Sequence, residues 1–119
     1  MAADRAARNS LAAISNALVR LHARHYGKGP RSARTHLYDD FVLVLLYEPF
    51  TAVERTFVAN GEQHRVIEDR LRFYRLLDSE FRETVAQLTG RNVAAFMPQV
   101  SVDPPIVSAL FLLSQDPDR

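Results

Sequence analysis

Cysteine is absent from the 119 residues. Disulfides, thiolate metal sites and cysteine nucleophiles are therefore excluded. Long apolar runs are scarce as well. The longest, Phe41–Tyr47, has seven residues, far short of the roughly 20 that span a bilayer. Met1–Ser10 carries Asp4, Arg5 and Arg8 and lacks the apolar core of a signal segment. Nucleotide-loop, dinucleotide-fingerprint, HExxH and GxSxG patterns are all missing, so no common catalytic motif is present. Lysine is nearly absent: only Lys28 breaks a basic set of otherwise fourteen arginines.

What is present is an ordinary globular mixture, 47% hydrophobic and 24% charged, enough apolar material for one core. The expectation is a single domain over residues 1–119, with its core in about 9–114, working in a reducing cytoplasm. Net charge is +1, but it is unevenly placed. Residues 1–36 hold seven Lys or Arg against one Asp, giving +6. Residues 37–119 hold eight Arg against thirteen acids, giving −5. The basic first third is either a solvated helix face or a surface for an acidic partner.

Periodicity assigns the elements. Leu11, Ile14, Leu18 and Leu21 recur at helical spacing within an expected helix over 4–26, and Gly27-Lys28-Gly29-Pro30 ends it. Ser32–Tyr38 alternates as a half-exposed strand. Asp39-Asp40 makes the turn into the apolar strand 41–47, which calls for cover on both faces, by helices and by a partner subunit. Thr51-x-x-Glu54 has the form of a capping box, and Asn60-Gly61 stops the helix it opens. One long helix is expected over about 62–89, with the stripe Ile67, Leu71, Tyr74, Leu77, Phe81, Val85 and Leu88. Phe73 and Leu76 fall off that stripe, and this second apolar face suggests either a wrapped sheet or a dimer surface. Strand segments 93–97 and 100–102, interrupted by Pro98, and a strand over 106–113 complete the chain, and the tail Ser114–Arg119 is expected to fray. The fold class predicted is α+β in the order α-β-β-α-α-β-β: a four-stranded, mainly antiparallel sheet with helices on one face.

Candidate sites are few. Arg20, Arg24, Lys28, Arg31 and Arg34 around the GKGP loop form the best candidate for contact with an anion or partner, although a helix stop also explains the glycines. His22 and His25 are three apart on one helix, a spacing that can share a metal; without a neighbouring third ligand they read as surface or boundary histidines. Asp39-Asp40 reads as a turn rather than a catalytic pair. No catalytic residue, metal site or cofactor is assigned.

The order of local motifs resembles a known family. His25-Tyr-Gly-Lys-Gly-Pro30 follows an amphipathic helix; Ala33-Arg34-Thr35 and Asp39-Asp40 precede an apolar strand; Thr51-x-x-Glu54-Arg55 opens a helix. Leu88-Thr89-Gly90-Arg91-Asn92-Val93 closes the next, and Phe96-Met97-x-Gln99 leads to Val102-Asp103-Pro104. Over about residues 9–114 this is similar to the MpsC family, small bacterial proteins labelled as a component of a sodium-translocating, membrane-potential-generating system. The family tends to carry Leu-Thr-Pro before Glu-Arg, where this chain has Phe50-Thr51-Ala52-Val53. The resemblance implies association with membrane components and no chemistry for this subunit. The leading reading is a non-enzymatic cytoplasmic accessory protein, homodimeric, with no direct membrane insertion, whose partner is a membrane transport complex. The alternative is a nucleic-acid or phosphate-ligand binder using the five cations, with salt-sensitive affinity. A small enzyme with His36, His64 and a carboxylate in one pocket is the third.

Overall fold

The computed structural model describes residues 2–115, so the tail beyond Gln115 lies outside the described residues. Its elements are α1 (Ala2–Tyr26), β1 (Ser32–Leu37), β2 (Phe41–Tyr47), α2 (Ala52–Ala59), α3 (Gln63–Leu76), α4 (Asp78–Thr89), β3 (Val93–Val102) and β4 (Pro105–Leu113). The strands form one antiparallel sheet in the order β1-β2-β4-β3. This is the expected α+β arrangement and element order, with the last helical region in two pieces.

That division is at Leu77, whose φ of −106° and ψ of 19° leave the helical region. The ladder still continues across it: Leu77 N–H donates to Phe73 O and Phe81 N–H to Leu77 O. Asp78 and Glu80 then place acids in the first turn of α4, where they favour a helix start. The phase of α3 also differs from expectation. Its buried positions are Val66, Arg70 and Tyr74, one residue off the stripe read through Ile67 and Leu71.

The core follows from strand parity. Val42, Val44 and Leu46 on β2 and Val107, Ala109, Phe111 and Leu113 on β4 face the helices and are buried. Ile14, Leu18 and Leu21 of α1, Tyr74 of α3 and Phe81 and Val85 of α4 close over them. Phe96 of β3 stacks on Phe111 with centroids 4.7 Å apart and rings 7° from parallel. Such a pair contributes about 0.5–1.5 kcal/mol beyond its buried area. β3 runs unbroken through Pro98, which pairs with Ala109. Its missing donor is tolerated because β3 is an edge strand.

Two glycines end α1 for different reasons. Gly27 has φ +77°, the left-handed cap, and its N–H donates to Ala23 O. Gly29 is fixed by proximity: a Cβ there would stand 2.9 Å from the Val19 backbone oxygen. Gly29→Ala therefore forces the loop off α1 and is expected to lower stability by about 1–3 kcal/mol, measured by urea denaturation; an unchanged midpoint would show that the loop yields freely.

Candidate functional site

Three segments meet at the end of the sheet where β2 leaves it. The loop after α1 contributes Lys28 and Arg31, the β2–α2 connection and α2 contribute Glu48, Phe50, Arg55, Val58 and Ala59, and the β3–β4 turn contributes Val102 and Pro105. Together they line a cleft of about 560 Å³, within the usual size of small-molecule sites. Its walls are apolar and its rim carries three cations and one carboxylate.

The capping box expected from Thr51-x-x-Glu54 is present and positions the α2 side of this cleft. Thr51 N–H donates to Glu54 Oε1 at 2.8 Å, and Glu54 N–H donates to Thr51 Oγ1 at 3.2 Å. The same carboxylate accepts two bonds from Arg70 on α3: Nε to Oε2 at 2.7 Å and Nη2 to Oε1 at 2.6 Å. Arg70 Nη2 also donates to Pro49 O at 2.8 Å. The Arg70 side chain is 0% exposed, and its guanidinium carbon lies 3.8 Å from the Tyr26 ring centroid, a cation–π contact. Burial alone would push the Glu54 carboxyl up; the Arg70 and Thr51 hydrogen bonds and the Arg70 charge outweigh it and hold it below the usual carboxylate range.

The cleft's cations are placed by backbone oxygens. Lys28 Nζ and Arg55 Nη1 both donate to Phe50 O, at 3.1 and 2.9 Å. Arg31 Nη1 pairs with Glu48 Oε2 at 2.8 Å, with 78% and 53% of the two side chains exposed. A pair so exposed contributes little to stability. Glu48 itself has φ +49°, the left-handed region, an uncommon conformation for a residue with a side chain.

The five cations expected to act together are thus separated. Lys28 and Arg31 reach the cleft. Arg24 pairs with Glu80 at 3.4 Å, and Arg20 is exposed on α1. Arg34 stands opposite Leu45 on the sheet face away from the helices, so β-strand parity removes it from α1's side. Sequence alone gives Glu54 its capping-box role and gives Arg55, Glu48 and Arg70 none. For Arg55 and Glu54 the Thr51-x-x-Glu54-Arg55 run was the signal; Arg70 had none, lying in an arginine-rich helix.

The exposed Phe73 surface also needs correction. Phe73 packs edge-on against Tyr26 at 4.6 Å and against Tyr74 at 5.2 Å, at the border of the core. The one-residue shift in α3 phase turns it inward. Leu76 remains 75% exposed. His22, read as a surface or boundary residue, is 1% exposed. Its Nδ1 lies 2.6 Å from Leu18 O, which can only accept, so Nδ1 carries the proton. Nε2, 2.8 Å from Tyr74 Oη, then accepts from that hydroxyl. Both nitrogens are occupied, which leaves none for a metal. No cluster of three or more metal-ligating side chains occurs among the described residues.

Residues 7–115 match the family described as MpsC, the Na⁺-translocating membrane potential-generating system. The chain belongs to the MpsC family. No curated protein and no solved structure matches it. Two of the motifs read from sequence in this MpsC-family chain help to build the cleft: the GKGP loop supplies Lys28, and the Glu-Arg pair supplies the α2 anchor and Arg55.

Two outcomes follow for the buried groups. Arg70→Met strands the Glu54 carboxylate, and the expected loss is about 3–5 kcal/mol in urea denaturation; a loss under about 1 kcal/mol would contradict the pair's role. Burial lowers the His22 pKa from 6.5 to about 4, with Arg70 and His25 adding to the effect and the Leu18 bond opposing it. Below pH 6.5 the unfolded chain binds a proton that the folded chain refuses. This contribution is therefore complete above pH 6.5 and lost as pH falls toward 4, by about 3 kcal/mol. Denaturation of wild type and His22→Gln across pH 7 to 4 isolates it: the variant should lose this part of the slope.

Proposed function

We propose that this chain is a non-catalytic accessory subunit of the membrane system its family is named for, acting from the cytoplasm as a homodimer. Among the described residues no helix is long and apolar enough to cross a membrane. Such a subunit reaches the membrane system by docking on another component.

The observation that carries the reading is the uncovered face of the sheet. Helices α1, α3 and α4 pack on the other side, and parity turns Phe41, Leu43, Leu45 and Tyr47 of β2 and Ile106, Leu110 and Leu112 of β4 outward. Met97 extends the apolar strip onto β3, 47% exposed. Polar residues border it: Arg34 and His36 on β1, Gln99 and Ser101 on β3. An apolar centre with a polar rim is the make-up of a protein interface. It answers the need for cover on both faces of strand 41–47, and it offers a dimer surface in place of Phe73, which packs at the border of the core. Two copies meeting face to face form a sandwich of stacked sheets.

Sedimentation equilibrium at tens of micromolar should give twice the 13.5 kDa chain mass, and Leu43→Asp or Leu110→Asp should give a folded monomer. A wild-type monomer at that concentration would sink the dimer. Affinity capture from detergent-solubilised host membranes should retain integral membrane proteins with the wild type; capture of none would sink the accessory role.

A further inference from the structure

The cleft between the GKGP loop, α2 and the β3–β4 turn has a chemistry that neither the sheet-face dimer nor the family description uses. Its charge is unbalanced. Lys28, Arg31 and Arg55 face it with only Glu48 as counter-charge, because the neighbouring Glu54 carboxylate is spent on Arg70. Lys28 and Arg55 converge on a single neutral acceptor, Phe50 O. Two like charges held at one carbonyl repel each other, and the carbonyl cannot neutralise either. Each keeps unused donors: an ammonium has three N–H groups and a guanidinium five. An anion beside Phe50 O would take these donors and remove the repulsion.

The walls set the rest of the ligand. Phe50 is 4% exposed, and with Val58, Val102 and Pro105 it gives the cleft an apolar lining. A bare inorganic anion would leave that lining wet, whereas a neutral apolar molecule would leave the cations unanswered. We infer that the cleft binds a small free amphipathic anion: a compact alkyl or aryl body of a size that fits about 560 Å³, bearing one phosphate or carboxylate head. The head sits on Lys28 and Arg55, with Arg31 swinging from its exposed pair with Glu48 to join them. The body lies against Phe50 and Val58. This reading stands independently of the dimer, since the cleft is at the α2 end of the molecule and not on the open sheet face.

The test is titration of the whole chain with octyl phosphate, followed by calorimetry and by amide chemical shifts. Octanol, inorganic phosphate and phosphatidic-acid vesicles are the comparison arms. Octyl phosphate should bind saturably and shift the amides of Lys28, Arg31, Arg55 and Val58. Octanol and inorganic phosphate should each bind at least about tenfold more weakly, the loss of one charge-assisted contact set or of the apolar contact. Arg55→Glu should weaken binding by about tenfold or more. Ala59→Glu, an exposed change on the cleft rim that leaves the fold intact, should do the same with an unchanged circular dichroism spectrum. The inference is overturned by no saturable binding up to about 5 mM, by octanol matching octyl phosphate, or by shifts confined to Leu43 and Leu110. Vesicle binding without binding of octyl phosphate would equally overturn it, in favour of a lipid surface.

Discussion

The bidentate bond between Glu54 and Arg70 is the constraint on which the cleft end of the molecule depends. Taking both charges out of water costs several kcal/mol per ion, and only close geometry with further hydrogen bonds offsets it. Here the carboxylate meets two guanidinium donors and the Thr51 amide, and the guanidinium adds Pro49 O and the Tyr26 ring. One pair thus ties α3 to the end of β2, to the first turn of α2 and to the last turn of α1. The short α2 has one buried residue, Glu54 itself. Eight residues are too few to hold a helix by propensity, so α2 keeps its place through this bond. Arg55, the next residue, is delivered to the cleft by it.

Sheet parity supplies the second constraint. The same strands that bury Val42, Val44 and Leu46 under the helices must present Phe41, Leu43 and Leu45 on the reverse. An unbroken apolar strand in a sheet with one helical layer therefore leaves apolar surface behind. The cleft and this face lie apart, so the molecule has two separate places at which chemistry outside the chain can be met: one apolar and extended, one small and cationic.

Features set by local rules were legible in the sequence. The capping box needs only residues three apart, the hairpin turn at Asp39-Asp40 only the ends of two strands, and the Gly27 cap only the end of its own helix. The element order followed from these. The phase of α3 was harder, because the segment Val66–Leu77 carries apolar residues on more than one face. The stripe through Ile67 and Leu71 and the true face through Val66, Arg70 and Tyr74 differ by one residue, and the true face has an arginine at its centre. No pattern of hydrophobicity finds a buried arginine; its burial is set by Glu54, sixteen residues earlier, and by a tyrosine on another helix. That same shift turned Phe73 inward. Among the cations, sequence proximity grouped five that strand parity and an ion pair with Glu80 separate.

The central claim is that the Glu54–Arg70 bond holds α2, and with it the wall of the cleft. Hydrogen exchange in Arg70→Lys tests it most directly, because the charge stays while the two-pronged bond is lost. Amides of Ala52–Ala59 should lose protection while those of β2 and β4 keep theirs. Unchanged protection in α2, or an equal loss throughout the sheet, would contradict it.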